Sequence, residues 1–97
     1  MAICNIIETP GRIRAELDRL EAHLRSTGAI PPEGCRLVLI GLERAITVWD
    51  SEADLDGFLT KRLRPAYEAM GLSLDNVERK QFEVETLVAG DLVGAAS

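Results

Sequence analysis

Side chains with obvious catalytic chemistry are few in this 97-residue chain. His23 is the single histidine and lies far in sequence from Cys4 and Cys35, so no Cys-x-x-Cys or His-x-x-x-His spacing predicts a metal site. No Gly-x-Ser-x-Gly motif supplies an activated serine. Acid–base chemistry would therefore fall to carboxylates or to Tyr67. The candidate site residues are Asn5, Thr47, Trp49, Tyr67, Glu83 and Glu85.

Each candidate allows a functional and a structural interpretation. The Asn5 amide could donate a hydrogen bond to an oxygen of a substrate, or it could satisfy a neighbour near the sheet end. Trp49 could form a flat apolar wall for an aromatic ligand, or it could pack where a strand meets a helix. Glu83 and Glu85 could raise each other's pKa and supply a base, or form a solvated edge. Tyr67 is expected to be half-buried with its hydroxyl in water.

Composition narrows the class of protein. Hydrophobic residues make up 46% and charged residues 28% of the chain, which is typical of a globular domain. The net charge of −5 disfavours a nucleic-acid binder, which needs a basic face for phosphates. We predict one domain over residues 1–90 and a frayed tail over residues 91–97.

The same sequence predicts where the protein works. No apolar run approaches the roughly 20 residues that cross a bilayer, and no basic residue precedes the apolar start of the chain. We therefore expect a cytoplasmic protein with free thiols, in which both cysteines act as small buried hydrophobic residues. Neither a metal nor a cofactor is expected.

The first half of the chain alternates strand and helix signals. Residues 1–8 form an apolar β-rich run, after which Thr9 is predicted to cap a helix with Pro10 at its first position. Gly28 is predicted to end this helix in the left-handed conformation. The apolar stripe of the helix comprises Ile13, Leu17, Leu20 and Leu24. Residues 35–42 and 44–50 then predict an antiparallel hairpin.

The second half repeats this pattern. Ser51 is predicted to cap a helix whose buried stripe comprises Leu55, Phe58, Leu59 and Leu63. Pro65 is expected to break or kink that helix and to start a separate short segment, because its ring clashes with the carbonyl four residues earlier. Alternating apolar and polar residues over 79–89 predict the last strand.

The resulting β-α-β-β-α-β order is that of the ferredoxin-like α+β fold, with two helices on one face of a four-stranded antiparallel sheet. Both sets of alternating strand residues are mainly apolar, so both faces of the sheet require burial. Two helices cover one face. Association of the open faces of two copies would cover the other, which predicts a homodimer. We expect Ile7, Asn5 and Trp49 on the face away from the helices.

The strand that runs into Val48-Trp49-Asp50-Ser51-Glu52, followed directly by an amphipathic helix, resembles the dimeric α+β barrel superfamily. The similarity is closest to the antibiotic-biosynthesis monooxygenase group and its haem-degrading relatives. The resemblance implies an Asn on the first strand and a Trp at the end of the third, both facing a cavity, and Asn5 and Trp49 match them. The haem-degrading relatives carry a His in the second helix, where this chain has Phe58 and Leu59, so haem ligation is not supported.

Three functions remain open at this point. The first is a small cofactor-independent monooxygenase for an electron-rich, polyketide-like aromatic, with Asn5 and Trp49 as catalytic residues and the other four candidates binding substrate. The second is a non-catalytic ligand-binding or assembly module, as in effector domains of some transcription regulators. The third is an isomerase of the muconolactone type, which needs a base in the cavity.

An open apolar pocket reaching Asn5 favours the enzyme, and a cavity filled by Trp49, Phe82 and aliphatic side chains favours the module. Asn5 directed at the helices would contradict the monooxygenase.

Overall fold

Four strands and two helical regions alternate along residues 1–88, the part of the chain that this computed structural model describes. The elements are β1 (Ile3–Glu8), α1 (Arg14–Thr27), β2 (Cys35–Ile40), β3 (Arg44–Trp49), α2 (Glu52–Phe58), a π-helical segment (Leu59–Leu63), α3 (Arg64–Ala69) and β4 (Glu78–Glu83). This order confirms the predicted ferredoxin-like α+β fold. The predicted tail, residues 91–97, lies outside the described residues.

The strands form one antiparallel sheet in the order β2-β3-β1-β4, so the first and third strands are neighbours at its centre. Asn5 pairs with Thr47, and Ile3 pairs with Trp49. Because side chains alternate between faces along a strand, these residues share one face of the sheet. The sheet therefore brings Asn5 and Trp49 onto the same surface, one strand apart.

The face of the sheet that carries Asn5 and Trp49 is covered by the helices, whereas the prediction placed it on the side without helices. Trp49 packs with Ile3 and with Leu55 of α2, and its ring centroid lies 5.2 Å from that of Phe58. The strand period of two determines which residues share a face but not which face the helices cover. With both residue sets apolar, the pattern alone favoured neither, and the prediction that Ile7, Asn5 and Trp49 lie away from the helices is wrong.

The face without helices is itself apolar. Cys4 and Val48 are buried there, Leu37, Ile6 and Ile46 are half-buried, and Leu39 and Phe82 are 47% and 55% exposed. Phe82 is paired with Cys4, so it lies on the opposite side of the sheet from Trp49. It therefore does not fill a cavity beside Trp49, contrary to the arrangement considered for a binding module.

Helix α1 begins later than predicted. The Arg12 N–H donates to the Thr9 carbonyl over 3.2 Å, and Gly11 has φ of +81°, as in a β-turn with Pro-Gly at its centre. This turn separates the strand from the helix, so Thr9 is not its cap and Pro10 is not its first residue. The N-terminal cap position is Ile13, which is exposed rather than part of the buried stripe, and its N–H donates to the Glu16 side chain.

The C-terminal end of α1 also differs from prediction. Gly28 has φ of 170°, an extended conformation rather than a left-handed one. A Cβ there would lie 2.8 Å from the Arg62 guanidinium carbon, so a larger residue at this position would require the Arg62 side chain to shift. The Arg62 guanidinium donates to the carbonyls of Leu24 and Ala29 and so satisfies the C-terminal end of α1.

The second helical region follows the predicted signals more closely. Ser51 Oγ accepts a hydrogen bond from the Asp54 N–H over 3.2 Å, which confirms the predicted cap. Pro65 is the second residue of α3, and the π-helical segment ends directly before α3 begins. The backbone stays helical throughout, so the expected interruption takes the form of a widened turn, in which the Arg64 N–H donates to the Leu59 carbonyl, rather than a break.

Strands β2 and β4 end earlier than predicted. β2 ends at Ile40, where the Gly41 N–H donates to the Arg44 carbonyl and closes the hairpin turn. β4 covers Glu78–Glu83, so Glu85 lies beyond it. Within residues 1–88, no helix combines the length and the apolar character that crossing a bilayer requires.

Candidate functional site

A cavity of about 310 Å³ lies between the sheet and the helices. Helix α2 contacts β1 and β3 directly, whereas α1 packs mainly on α3 and on the π-helical segment. Since α1 is not seated on the strands, space remains beneath it. The sheet contributes Asn5, Ile7, Val38, Ala45, Thr47 and Trp49 to the lining, and the helical side contributes Leu17, Leu20, Leu24, Phe58, Leu63 and Tyr67.

Trp49 forms a fixed wall of this cavity. It is 1% exposed, its ring is tilted 38° from that of Phe58, and its Nε1–H donates to Thr47 Oγ1 over 2.8 Å. Because the only polar atom of the indole is satisfied by Thr47, the ring can be buried without an unpaired donor. The Thr47 oxygen accepts this bond, which leaves its own hydroxyl proton to donate elsewhere.

Asn5 is held in one orientation. It is 1% exposed, and its Oδ1 accepts a hydrogen bond from the Arg79 guanidinium over 3.0 Å. A guanidinium only donates, so the amide oxygen must be the atom that faces it. The amide nitrogen is then the polar group that Asn5 can offer to the cavity, as a hydrogen-bond donor.

Arg79 is in turn held by the exposed surface of β4. Its guanidinium also donates to Gln81 Oε1 over 2.7 Å, and Gln81 lies 3.4 Å from a carboxylate oxygen of Glu52 at the start of α2. This chain of polar contacts links the solvent-exposed sheet edge to the buried Asn5. It fixes the amide without adding a titrating group to the cavity.

Tyr67 lies on the helical side and is buried more deeply than expected. It is 2% exposed, and its hydroxyl oxygen accepts a hydrogen bond from the Arg12 guanidinium over 2.5 Å. The Arg12 guanidinium carbon also lies 5.3 Å from the centre of the Tyr67 ring. The expectation of a hydroxyl in water is therefore wrong, because Arg12 is its partner. Both residues line the cavity.

The carboxylate candidates lie elsewhere. Glu83, at the end of β4, and Glu85, beyond it, are exposed and do not belong to the described lining of the cavity. The charged residues that line it besides Arg12 are Glu21, Arg25 and Arg44. Glu21 is half-buried, whereas Arg25 and Arg44 are exposed, and Arg44 is paired with Glu8 over 2.9 Å.

The cysteines are free thiols away from the polar part of the cavity. Desolvation raises the pKa of Cys4 above its ordinary value, and the same cause dominates at Cys35, where the pKa is also raised. Both thiols therefore stay protonated at neutral pH. Cys4 is buried as predicted, whereas Cys35 is half-buried. Among residues 1–88, no group of three His, Cys, Asp or Glu side chains could hold a metal ion.

Two site residues, Arg12 and Arg79, were missed by sequence reasoning. Arg12 falls within the helix predicted to begin at Pro10, but the turn at Gly11 keeps it outside α1. Arg79 begins the alternating run of the last strand, at the position directly opposite Ile7. Once the helix-covered face is known, the register places the Arg79 side chain beside Asn5, whereas the sequence alone carries no signal for this contact.

Comparison with known proteins shows similarity at the level of fold. No family model and no curated protein matches the chain. Among solved structures, a protein of unknown function from Nitrosomonas europaea is similar with a TM-score of 0.56 and 21% identity, over 92% of this chain and 95% of that one. An asparagine-to-alanine variant of SnoaB, a cofactor-independent oxygenase from Streptomyces nogalater, is similar with a TM-score of 0.54 and 18% identity, over 92% and 96% of the two chains.

A third structure, of a candidate antibiotic biosynthesis monooxygenase from Chloroflexus aurantiacus, has a TM-score of 0.51 and 18% identity, over 90% of this chain and 97% of that one. At these identities the comparisons establish the fold and not the activity. The chain shares its ferredoxin-like α+β fold, over nearly its whole length, with structures that include a cofactor-independent oxygenase and a candidate antibiotic biosynthesis monooxygenase.

Proposed function

We propose that this protein is a cofactor-independent monooxygenase that oxidises an electron-rich aromatic compound. The observation that carries the proposal is an open, mostly apolar cavity that both Asn5 and Trp49 line. Such a pocket, with a few converging polar groups, is the usual form of a small-molecule site. The similarity to SnoaB adds support at the level of fold.

The location of this cavity changes the form of the hypothesis. Asn5 is directed at the helices, so the monooxygenase as predicted from the sequence, with its site inside a barrel formed by two sheets, is contradicted. The structure instead has a cavity on the helix side, within one protomer, and Asn5 and Trp49 both line it. The monooxygenase is therefore proposed for this cavity alone.

The chemistry requires little from the protein. Reduction of O₂ takes four electrons, and without a cofactor all four come from the substrate. Oxidation of a phenol to a quinone satisfies this balance, because the O–H bond and the para C–H bond are replaced by two C=O groups and the second oxygen atom leaves as water. The protein has to bind the aromatic ring, keep water out and stabilise the charge that develops on oxygen.

The residues of the cavity fit these tasks. Trp49 offers its ring face to the substrate, and the surrounding aliphatic side chains exclude water. The Asn5 amide nitrogen is proposed to donate to the reduced oxygen species or to a substrate oxygen as negative charge accumulates there. Thr47 and Tyr67 are proposed to bind substrate. Glu83 and Glu85 are exposed, and we assign them no part in this mechanism.

Oxygen consumption tests the proposal. With 1-naphthol and related bicyclic phenols, we expect the purified protein to consume one O₂ for each quinone formed and to remain active in the presence of a metal chelator. Naphthalene, which lacks the hydroxyl, should not support consumption. Binding of these phenols without oxygen uptake would contradict the oxygenase and favour the ligand-binding module. The isomerase would need a base, for which Glu21 is the one carboxylate in the described lining.

A homodimer is proposed as the working form. The face without helices carries Ile46, Leu37, Leu39 and Phe82 at the surface of the described residues. Exposed apolar patches of this kind are unusual in monomers, and the two-fold packing of one such face on its copy would cover both. The cavity with Asn5 lies on the other face and would remain complete within each protomer.

Replacing Phe82 with Asp should dissociate this dimer. The substitution places a charge in the proposed interface, where burial without a partner is costly. We expect sedimentation at micromolar concentration to show a dimer for the unmodified protein and a folded monomer, or unfolding, for Phe82→Asp. Arg14→Asp, on the exposed side of α1, should remain dimeric. A folded monomer for the unmodified protein would contradict the proposal.

A further inference from the structure

The contact between Arg12 and Tyr67 places a cation beside an apolar cavity. Arg12 is half-buried, and among the described residues it forms no ion pair, because its hydrogen-bond partner is the neutral Tyr67 hydroxyl. Arg44 also lines the cavity, but Glu8 pairs with it. A partly desolvated cation without a carboxylate partner favours an anion close to it.

Arg12 has N–H groups that its hydrogen bond to Tyr67 does not use. A guanidinium carries five N–H groups, and one of those of Arg12 is used on Tyr67. Since the Tyr67 oxygen accepts that bond, its own proton is directed to another acceptor. Arg12 and Tyr67 can therefore donate together to one oxygen atom, and an oxygen that carries negative charge gains most from two such donors.

Cavity size limits what can carry that oxygen. An apolar cavity of about 150 Å³ holds one benzene molecule, so the observed 310 Å³ suits a planar aromatic of two fused rings. The remaining lining near the sheet is apolar apart from Asn5, Thr9, Arg44 and Thr47. A bicyclic ring system with one acidic oxygen matches both the volume and the cation of Arg12, which is half-buried, whereas Arg25 and Arg44 are exposed.

We infer that Arg12 and Tyr67 form a phenolate-binding subsite, which binds the substrate of the proposed oxygenase as a bicyclic aromatic with its hydroxyl ionised. This inference rests on the proposed function for the identity of the ligand as substrate. The ionised hydroxyl also makes the ring a better electron donor toward O₂, since removal of the proton raises the electron density of the ring. Arg12 is thereby a specificity-determining residue as well as a binding one.

The ionisation of bound 2-naphthol tests this inference directly, because its ultraviolet spectrum distinguishes the naphtholate from the neutral form. A cation within hydrogen-bond distance lowers the pKa of an acidic group by about one to three units. We expect the pKa of 2-naphthol bound to the full chain, measured without oxygen, to lie at least about one unit below its value in water, which makes the naphtholate about tenfold or more tighter bound than neutral 2-naphthol.

Matched variants identify the residues responsible. Arg12→Met should abolish the downward shift, Arg12→Lys should retain part of it, and Arg14→Met, which removes a charge on the exposed side of α1, should leave it unchanged. Tyr67→Phe removes one donor and keeps the charge, so it should reduce the shift; it also serves as the second test if Arg12→Met does not fold.

The outcomes separate this inference from the proposed function. An unshifted pKa for 2-naphthol in the unmodified protein, or equal shifts in Arg12→Met and Arg14→Met, would overturn the phenolate subsite. Failure of 2-naphthol to bind would overturn it as well. A shifted pKa for 2-naphthol without oxygen consumption with 1-naphthol would retain the subsite and overturn the oxygenase. Oxygen consumption with 1-naphthol and an unshifted pKa for 2-naphthol would retain the oxygenase and overturn the subsite.

Discussion

Replacing Asn5 with Ala should reduce turnover of a bicyclic phenol by about ten- to a thousand-fold, the scale observed when one oriented donor to a developing oxyanion is removed. The reason lies in the fixed amide: Arg79 binds its oxygen, and its nitrogen is left as a donor to the cavity. Steady-state oxygen consumption measures the effect. We expect the loss to fall mainly on kcat, because the donor acts on charge that is absent from the bound ground state.

The matched control is Asn76→Ala, because Asn76 is the second asparagine of the chain and is exposed in the segment before β4. It should leave turnover unchanged. Thermal unfolding should show little loss of stability for Asn5→Ala, since the exposed Arg79 can exchange the lost bond for water. An Asn5→Ala protein with unaltered turnover would contradict the assigned role and return the amide to a structural one.

Replacing Trp49 with Ala should destabilise the fold by about 3–5 kcal/mol, as expected for the loss of a buried aromatic side chain. Trp49 is 1% exposed and packs between Ile3 of the sheet and Leu55 and Phe58 of α2. Its removal leaves a void where α2 meets the sheet and an unpartnered Thr47 hydroxyl. Urea unfolding followed by circular dichroism measures the change, because this variant has no tryptophan to report by fluorescence.

Trp49→Phe provides the comparison. It retains a ring against Phe58 and loses the bond to Thr47, so its cost should be clearly smaller than that of the Ala variant. Both predictions hold for the oxygenase and for a binding module alike, so they test the fold of the site. A change of less than about 1 kcal/mol in Trp49→Ala would mean that α2 is not anchored on the sheet through this residue.

Much of the fold follows from sequence pattern, because the signals are local. The Ser51 cap, the hairpin turn at Gly41 and the period of the strands each depend on residues close in sequence. The failures are equally specific. Thr9 and Pro10 fit the start of a helix, but Gly11 in the next position favours a β-turn, and this competing local signal determines the structure.

The candidate site was less predictable because it depends on contacts between distant residues. Strand parity correctly placed Asn5 and Trp49 together, yet the choice of face required knowing where α2 packs. The partners that orient the site, Arg79 for Asn5 and Arg12 for Tyr67, are separated from them by 74 and 55 positions. Arginines are common on solvated helices and strand edges, so residue type alone did not distinguish these two.

The widened turn of the π-helical segment makes the site sensitive to chain length as well as to residue type. A turn closed five residues apart holds one residue more than an α-helical turn, and one residue corresponds to a rotation of about 100° around the helix. Compared with a regular α-helix of the same residues, all residues after Leu63 are therefore rotated about the helix axis. The same residues in a regular α-helix would place Ala66, and not Tyr67, opposite Arg12, whereas a homologue one residue shorter and α-helical over 59–63 would keep its tyrosine there. Insertion or deletion of one residue in this segment therefore keeps Tyr67 opposite Arg12 only if the turn widens or narrows to match it.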